Sequence, residues 1–166
     1  VSVQVAPAVR VGLGTEFGFE EGENAVFMVA TRDYKGNMLF VFDNGRIAKV
    51  ALSAYATKTN RKKLVGAYTD KFTLHTVVFA ENESDLLLTS TNGRMLLVNS
   101  AALQTKSTRD NSGVAVMTQK KGQRLSEVLP YTKGELEGDH RYRTRNLPAA
   151  GSKLPTNTAE QAKLDI

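Results

Sequence analysis

The sequence lacks the residues on which several classes of protein depend. Among its 166 residues there is no cysteine, which excludes disulfides and thiolate metal sites. There are only two histidines, His75 and His140, and neither has a second ligand at metal-binding spacing. No apolar run is long enough to span a membrane, and residues 1–7 do not have the pattern of a signal peptide. We therefore expect no metal site, no membrane and a reducing compartment, the cytoplasm.

The motifs of common enzymes are missing as well. No G-x-S-x-G elbow occurs, and Gly12-Leu13-Gly14 lacks the third glycine and the following helix of a phosphate-binding loop. Tyr55 lies among apolar positions, so we interpret it as a core residue rather than a nucleophile. We predict no catalytic residue and no cofactor in these residues. The absence of an initiator methionine favours a piece of a longer chain.

The formal net charge of +5 is unevenly distributed. Residues 1–34 hold two basic and five acidic side chains, residues 35–128 hold 14 and seven, and residues 129–166 hold six and five. A basic stretch on a repeat scaffold favours a polyanion as partner. Most lysines and arginines, however, only keep a surface solvated. The charge alone therefore leaves nucleic-acid binding and simple solvation as equal alternatives.

One hairpin sequence occurs twice. Apolar runs flank Asn44-Gly45-Arg46 and again Asn92-Gly93-Arg94. Asn-Gly between two apolar runs is typical of a β-hairpin, and we expect a type I′ turn with positive φ at both central residues. The first run, residues 38–42, is apolar throughout, which indicates a strand covered on both faces.

The repeat extends beyond the hairpins. An offset of 48 residues also superposes Val50 on Val98, Thr57-Lys58 on Thr105-Lys106 and Arg61 on Arg109, and one residue of slippage pairs Gly66 with Gly113. A repeat of this length indicates an array of supersecondary units that bury their faces on one another. Further strands are predicted at residues 25–30, 65–69, 74–80, 114–118 and 124–129.

These features predict an all-β chain of four-stranded units, arranged as in a propeller. We divide it into residues 1–34 as the end of a preceding blade, 35–82 and 83–130 as two blade repeats, and 131–166 as a loosely attached, extended tail.

The repeats resemble the C-terminal domain of the A subunit of bacterial type IIA topoisomerases, DNA gyrase and topoisomerase IV. Repeats of that family carry a hairpin of the form llf-T-x-x-G-r, a basic t-k-x-x-R element and a k-k-G-d/q-x-l turn. Here these are Leu39–Arg46 and Leu87–Arg94, then Thr57 to Arg61 and Thr105 to Arg109, and Lys120 to Leu125. The resemblance covers roughly residues 20 to 130.

The resemblance implies a β-pinwheel, a propeller-shaped partial ring whose antiparallel blades exchange a strand with their neighbours. It implies a non-catalytic domain that binds and bends double-stranded DNA without sequence specificity. The parent enzyme would use ATP and Mg through other domains or subunits, and its partners would be the rest of the A subunit and the ATPase B subunit. The basic glycine-rich box of gyrases is not found here, which leaves gyrase and topoisomerase IV as alternatives.

Equivalent loops of stacked blades point the same way, so their basic side chains are the predicted DNA contacts. They are Arg46, Lys58, Arg61, Lys62, Lys63, Arg94, Lys106, Arg109, Lys120 and Lys121. Phosphate contacts of this kind need no base readout. For Arg46 and Arg94 an equal alternative is that they cap the hairpins or pair with Asp43 and Asp110. The competing function is a propeller-like module that binds proteins.

Overall fold

The fold consists of short strands joined by turns in the computed structural model, which describes residues 2–4, 21–22, 24–57 and 63–155. These residues contain no α-helix, but three 3₁₀ turns, at Leu52–Tyr55, Ser100–Ala102 and Asp139–Tyr142. The strands are β1 Ser2–Gln4, β2 Asn37–Phe42, β3 Arg46–Ala51, β4 Lys63–Val65, β5 Leu74–Ala80, β6 Asp85–Ser90, β7 Arg94–Asn99, β8 Thr105–Lys106, β9 Val114–Ala115, β10 Leu125–Tyr131 and β11 Ser152–Lys153. Within those ranges, no helix is long and apolar enough to cross a membrane.

Both Asn-Gly-Arg tripeptides lie at hairpin tips, as predicted, but the turn is of another type. Strands β2 and β3 pair through Val41 and Ile47, and Gly45 N–H donates to Phe42 O at 2.9 Å. Gly45 has a φ of +81°, whereas Asn44 is not left-handed, so the loop is a type I turn closed by a left-handed glycine rather than type I′. The Asn44 side chain stabilises this form, because its Oδ1 accepts the Arg46 N–H at 3.1 Å. The second tip repeats these contacts.

The third strand of each sheet confirms that the two units are copies. Strand β5 pairs with β2, and β10 pairs with β6, both antiparallel. Each pairing is interrupted by an irregularity at the same place, next to Leu74 in one sheet and Leu125 in the other. The shared bulge at Phe42 and Ser90 means that the two sheets have the same pairing pattern, although their third strands lie 51 residues apart (125 − 74) rather than 48 as the hairpins do.

The fourth position of each sheet is filled from the next unit. In the first sheet β8 lies parallel to β3 at Lys49 and Val50, and β9 lies antiparallel to the start of β3. In the second sheet β11 takes the place of β9 against β7. The strand orders are β5-β2-β3-β8, with β9 also on β3, and β10-β6-β7-β11. The predicted strand exchange between four-stranded blades is therefore confirmed, although one exchanged strand is parallel.

Strand alternation sends apolar side chains to both faces of the first sheet. Leu39 and Val41 of β2 face the second sheet, whereas Met38, Phe40 and Phe42 belong to a second cluster on the opposite face. This explains why the run from residue 38 to 42 is apolar throughout and confirms the prediction of a strand covered on both faces. The core between the sheets consists of Leu39, Val41, Ile47, Ala80, Leu86, Leu88, Leu96, Val98, Leu103, Val116, Met117 and Leu125.

Three predicted strands are wrong or shorter than expected. Residues 25–30 form no strand, because no described hairpin lies beside them to pair with, and Val26 and Met28 are 69% and 52% exposed. The strand predicted at 65–69 ends at Val65, because Gly66 turns the chain with a φ of +67°. The strand predicted at 114–118 is reduced to Val114–Ala115.

The segment after residue 131 differs most from expectation. Its 3₁₀ turn buries Tyr142 on the outer face of the second sheet, and β11 completes that sheet. Residues 139–153 are thus packed on the second sheet rather than loosely attached. The sequence does not indicate this packing, because the segment is short and rich in turns and contains no hairpin motif. Residues 156–166 of the predicted tail lie outside the described residues. The division of the chain at residues 34, 82 and 130 stays a prediction.

Gly113 offers a direct test of the strand exchange. Its φ is +62°, and a Cβ there would lie 2.2 Å from Ile47 O, whereas a Cβ at Gly122, with a φ of +78°, would meet nothing within 4 Å. Both alanine substitutions strain a left-handed backbone by about 1 to 2 kcal/mol. We expect Gly113→Ala to cost about 3 kcal/mol more than Gly122→Ala in the free energy of unfolding, because only it pushes β9 away from β3. Equal denaturant midpoints for the two variants would contradict the exchange.

Candidate nucleic-acid interface

The two hairpin arginines hold the exchanged strands. Arg46 donates from Nε to Ser112 O at 2.9 Å and from a terminal nitrogen to Gly113 O at 2.7 Å. In the second sheet, Arg94 donates to Gly151 O at 2.8 Å. The residues therefore fasten each hairpin to the segment that completes its sheet, and they pair with neither Asp43 nor Asp110. Their role as DNA contacts stays a prediction. Only the guanidinium N–H groups that do not donate to these carbonyls would be available to bind a phosphate.

Arg109 is occupied in a similar way. Its guanidinium donates to three backbone carbonyls of the first unit, Val65 O at 3.2 Å and Ala54 O and Gly66 O at 3.3 Å each. The bonds to residues 65 and 66 repeat the pattern of Arg46, because Gly66 corresponds to Gly113. Arg109 thus ties the loop between β8 and β9 to the preceding unit and lies half-buried.

Lys106, Lys120 and Lys121 are the predicted contacts that the structure leaves exposed. Lys106 lies in β8, on the outer edge of the first sheet beside Val50. The other two lie in the turn before β10, close to the hairpin tips, because Arg124 O accepts from Thr91 N–H and Leu125 N–H donates to Asp43 O, each at 2.9 Å. No ion pair among the described residues includes any of the three lysines.

The basic side chains of the first linker are not placed by the structure. Lys58, Arg61 and Lys62 lie outside the described residues, and Lys63 is described only by its backbone, in β4. Strand β4 pairs antiparallel with β1, with Lys63 opposite Gln4. These four predicted DNA contacts stay predictions.

An ionic joint that is buried only on its Lys49 side connects the two blades, and no sequence pattern indicates it. Lys49 is 3% exposed on β3, and its Nζ lies 2.5 Å from a carboxylate oxygen of Glu83 and 3.0 Å from Ser100 O. The hydroxyl of Ser100 donates to the other oxygen of Glu83. The hydrogen bonds from Lys49 and then Ser100 hold the pKa of Glu83 below its ordinary value. Residue 49 aligns with Leu97, so the repeat itself predicts an apolar residue here.

A second ionic contact fastens the last segment to the second sheet. Arg143 lies 2.7 Å from Asp85 and 3.8 Å from Asp139. The hydrogen bond from Arg143 lowers the pKa of Asp85, and the same bond raises the pKa of Arg143. Because Asp85 begins β6, an inner strand of the second sheet, the pair joins the end of that strand to the chain that completes the sheet.

The part of the chain that the structure describes contains no cluster of side chains arranged for catalysis. It holds no group of three or more residues that could bind a metal ion. Asp43 Oδ1 lies 3.0 Å from His75 Nδ1 at the first tip, and His140 is exposed elsewhere. Tyr55 is 4% exposed and donates to Ala67 O at 2.6 Å, which confirms it as a core residue; its burial raises the pKa of its hydroxyl.

The hairpin arginine can be tested for its structural role. Arg46→Met keeps the apolar stem that lies by Phe72, whose ring centroid is 5.6 Å from the guanidinium carbon, but removes both bonds to carbonyls. We expect a loss of about 2 kcal/mol in the free energy of unfolding, since bonds to a charged group are each worth about 1.5 to 3 kcal/mol. Lys106→Met is the control and should change stability by less than about 0.5 kcal/mol. A neutral Arg46→Met would mean that the contact does not hold β9.

The lowered carboxyl pKa values predict a loss of stability in acid. A carboxylate with a lowered pKa in the folded state stabilises it fully above its unfolded pKa, and this stabilisation disappears as the pH falls through the folded value. For Glu83 and Asp85 the ordinary values are 4.5 and 3.8, so unfolding should become easier below about pH 4.5. In Glu83→Gln the acid dependence of the urea midpoint should be shallower than in the parent. Identical acid profiles would exclude the joint as its source.

The chain is similar to known proteins in its fold. No family model matches the sequence, and no curated protein sequence matches it. Among solved structures, the C-terminal domain of DNA topoisomerase IV has a TM-score of 0.53 with 23% identity over 63% of this chain, and the DNA gyrase A C-terminal domain 0.53 with 15% over 72%. The E. coli ParC C-terminal domain has a TM-score of 0.61 with 14% identity over 84% of the chain.

The chain spans only part of each of these structures, namely 32%, 43% and 64% of their lengths in the order given. At these identities the likeness concerns the fold. The chain has the β-pinwheel fold of the C-terminal domains of topoisomerase IV and gyrase A, as a partial ring.

Proposed function

We propose that this chain is a non-catalytic module that binds and bends double-stranded DNA in the A subunit of a type IIA topoisomerase. The observation that carries the proposal is that some basic side chains form hydrogen bonds within the fold, whereas others are exposed. Arg46, Arg94 and Arg109 are engaged with backbone carbonyls, whereas Lys106, Lys120 and Lys121 are exposed and in no described ion pair. Cations that fold stability does not use are available for a polyanion.

The scaffold suits phosphate contacts rather than base readout. Lys106 lies on an exchanged strand and Lys120 in a turn bonded to both hairpin tips, so both are supported by paired backbone. A lysine is a point charge that contacts phosphate without geometric demands and reads no base. Binding should therefore be independent of sequence and strongly dependent on salt.

The partial ring of blades also suits the bending of bound DNA. Blades that follow one another around an arc present their basic loops in succession, and DNA that curves to meet them gains contacts that offset its deformation energy. In the parent enzyme, gyrase or topoisomerase IV, this would guide wrapping or strand passage in the cytoplasm, with ATP and Mg bound by other domains and the B subunit.

A protein-binding module is the second candidate, and one observation favours it. Val26 and Met28 are 69% and 52% exposed, with Phe27 between them at 38%, so a short apolar surface precedes the first hairpin. Such a surface suits contact with another protein or another part of the parent chain. It is small and distant in sequence from the exposed lysines, so both kinds of contact can coexist.

Salt dependence distinguishes the two candidates. Affinity for a duplex is measured by fluorescence anisotropy between low and moderate salt for the parent, Lys106→Ala, Lys120→Ala and Lys121→Ala. Each substitution should flatten the log–log slope by about 0.9, equally for A·T-rich and G·C-rich duplexes. Lys35→Ala is the matched control: it removes the same charge, but Lys35 is paired with Asp33 at 3.3 Å. A parental slope in all three variants, with the fold intact, would refute the proposal.

A further inference from the structure

The last described segment repeats the geometry of an inter-blade linker, although its sequence lacks the repeat. Leu97 of β7 makes a parallel bridge with Arg143, as Lys49 of β3 does with Thr105. Farther along, Ser152 and Lys153 pair with the start of β7, as Val114 and Ala115 pair with the start of β3. Residues 143–153 therefore occupy, on the second sheet, the place that residues 105–115 occupy on the first.

The glycine turn confirms this equivalence independently. A Cβ at Gly151 would lie 2.5 Å from Met95 O, as one at Gly113 would lie 2.2 Å from Ile47 O. Arg94 bonds to Gly151 O as Arg46 bonds to Gly113 O. Because the same glycine, carbonyl and arginine recur, the segment is a third linker without a hairpin of its own.

The base of this third linker is firmly held. Tyr142 is 2% exposed in the cluster on the outer face of the second sheet, and Arg143 is bound to Asp85. Ser152 Oγ donates to Arg141 O at 3.0 Å and closes the loop at its start. The arginines on either side of residue 143, Arg141 and Arg145, are exposed on this ordered base.

The neighbouring carboxylates do not neutralise these two arginines. Asp85 and Asp139 both contact Arg143, and Asp139 also accepts from the Tyr131 hydroxyl at 3.3 Å. Among the described residues, no ion pair includes Arg141 or Arg145. They are thus exposed cations on either side of the contact between Arg143 and β7, although Thr144 is the register equivalent of Lys106 at this edge.

We propose that residues 141–145 form a third phosphate-contacting loop, with Arg141 and Arg145 as its contacts to duplex DNA. The inference rests on the proposed function. It extends the proposed DNA-binding surface from the edge of the first sheet to the edge of the second. Arginine suits the task because its planar fork binds a phosphate through two parallel hydrogen bonds. Arg143 is a positioning residue, since its guanidinium is engaged with Asp85 and fixes the loop.

The test compares two double variants of the chain. Arg141→Gln with Arg145→Gln removes two charges from the proposed loop, whereas Lys133→Gln with Lys153→Gln removes two exposed charges from the same segment outside it. Duplex affinity is measured against salt for both, with the thermal midpoint as a check on folding. We expect the arginine pair to flatten the log–log slope by about 1.8 and the lysine pair to leave it unchanged. Arg141→Lys with Arg145→Lys should keep the parental slope, because it keeps the charges.

The outcomes separate this inference from the function on which it rests. If the arginine pair keeps the parental slope while Lys106→Ala flattens it, the third loop is overturned and DNA binding stands. If neither variant flattens the slope, both proposals fail. If the lysine pair flattens it as much as the arginine pair, the effect is one of net charge, and the assignment to residues 141–145 is overturned.

Discussion

Each of the two large sheets of this protein depends on a strand supplied by the stretch of chain that follows it. The connection is made by a left-handed glycine that brings backbone against backbone, Gly113 at Ile47 O and Gly151 at Met95 O, and by an arginine that reaches across from the hairpin tip. Only glycine permits both the positive φ and the close approach. Because the completing strand comes from the chain that follows, neither of these sheets is complete without that segment.

The ionic joint of Lys49, Glu83 and Ser100 specifies how the two sheets are positioned on each other, which apolar packing alone does weakly. Two stacked sheets lined by leucine and valine can slide with small cost, whereas a buried ammonium must meet its carboxylate and carbonyl in one arrangement. The described residues contain no buried side-chain nitrogen or oxygen without a partner, so the joint is fully satisfied. A fixed angle between blades in turn fixes the spacing of the exposed basic loops, which is what a bent duplex would encounter.

The sequence predicts the fold well where local patterns and repeats coincide. The hairpin tips, the strand at residues 74–80 and the equivalence of the two hairpins follow from Asn-Gly turns and the 48-residue offset, and all are found. The strand of residues 25–30 is not, because an apolar run specifies a strand only if a partner lies beside it. The third linker escaped prediction for a related reason: strand β11 is two residues long, and its pairing with β7 is a tertiary contact without a local pattern.

The candidate site shows the same limit. Composition and equivalent loops indicate which side chains are basic, but a guanidinium that donates to a distant carbonyl, as those of Arg46 and Arg109 do, has no sequence signature. Exposure separates Lys106, Lys120 and Lys121 from them, and only the three-dimensional contacts show that Arg141 and Arg145 flank the equivalent edge contact of the second sheet. The proposed DNA contacts are therefore the exposed basic side chains that form no ion pair among the described residues.

The account is tested most directly by following backbone amide resonances of the chain while duplex DNA is added at low salt. It predicts the largest shifts in three separate segments, residues 105–109, 119–124 and 141–145, with small changes at Lys49 and in the core between the sheets. Shifts centred on the exposed apolar residues 26–28, or no shifts at a saturating concentration of duplex, would contradict it.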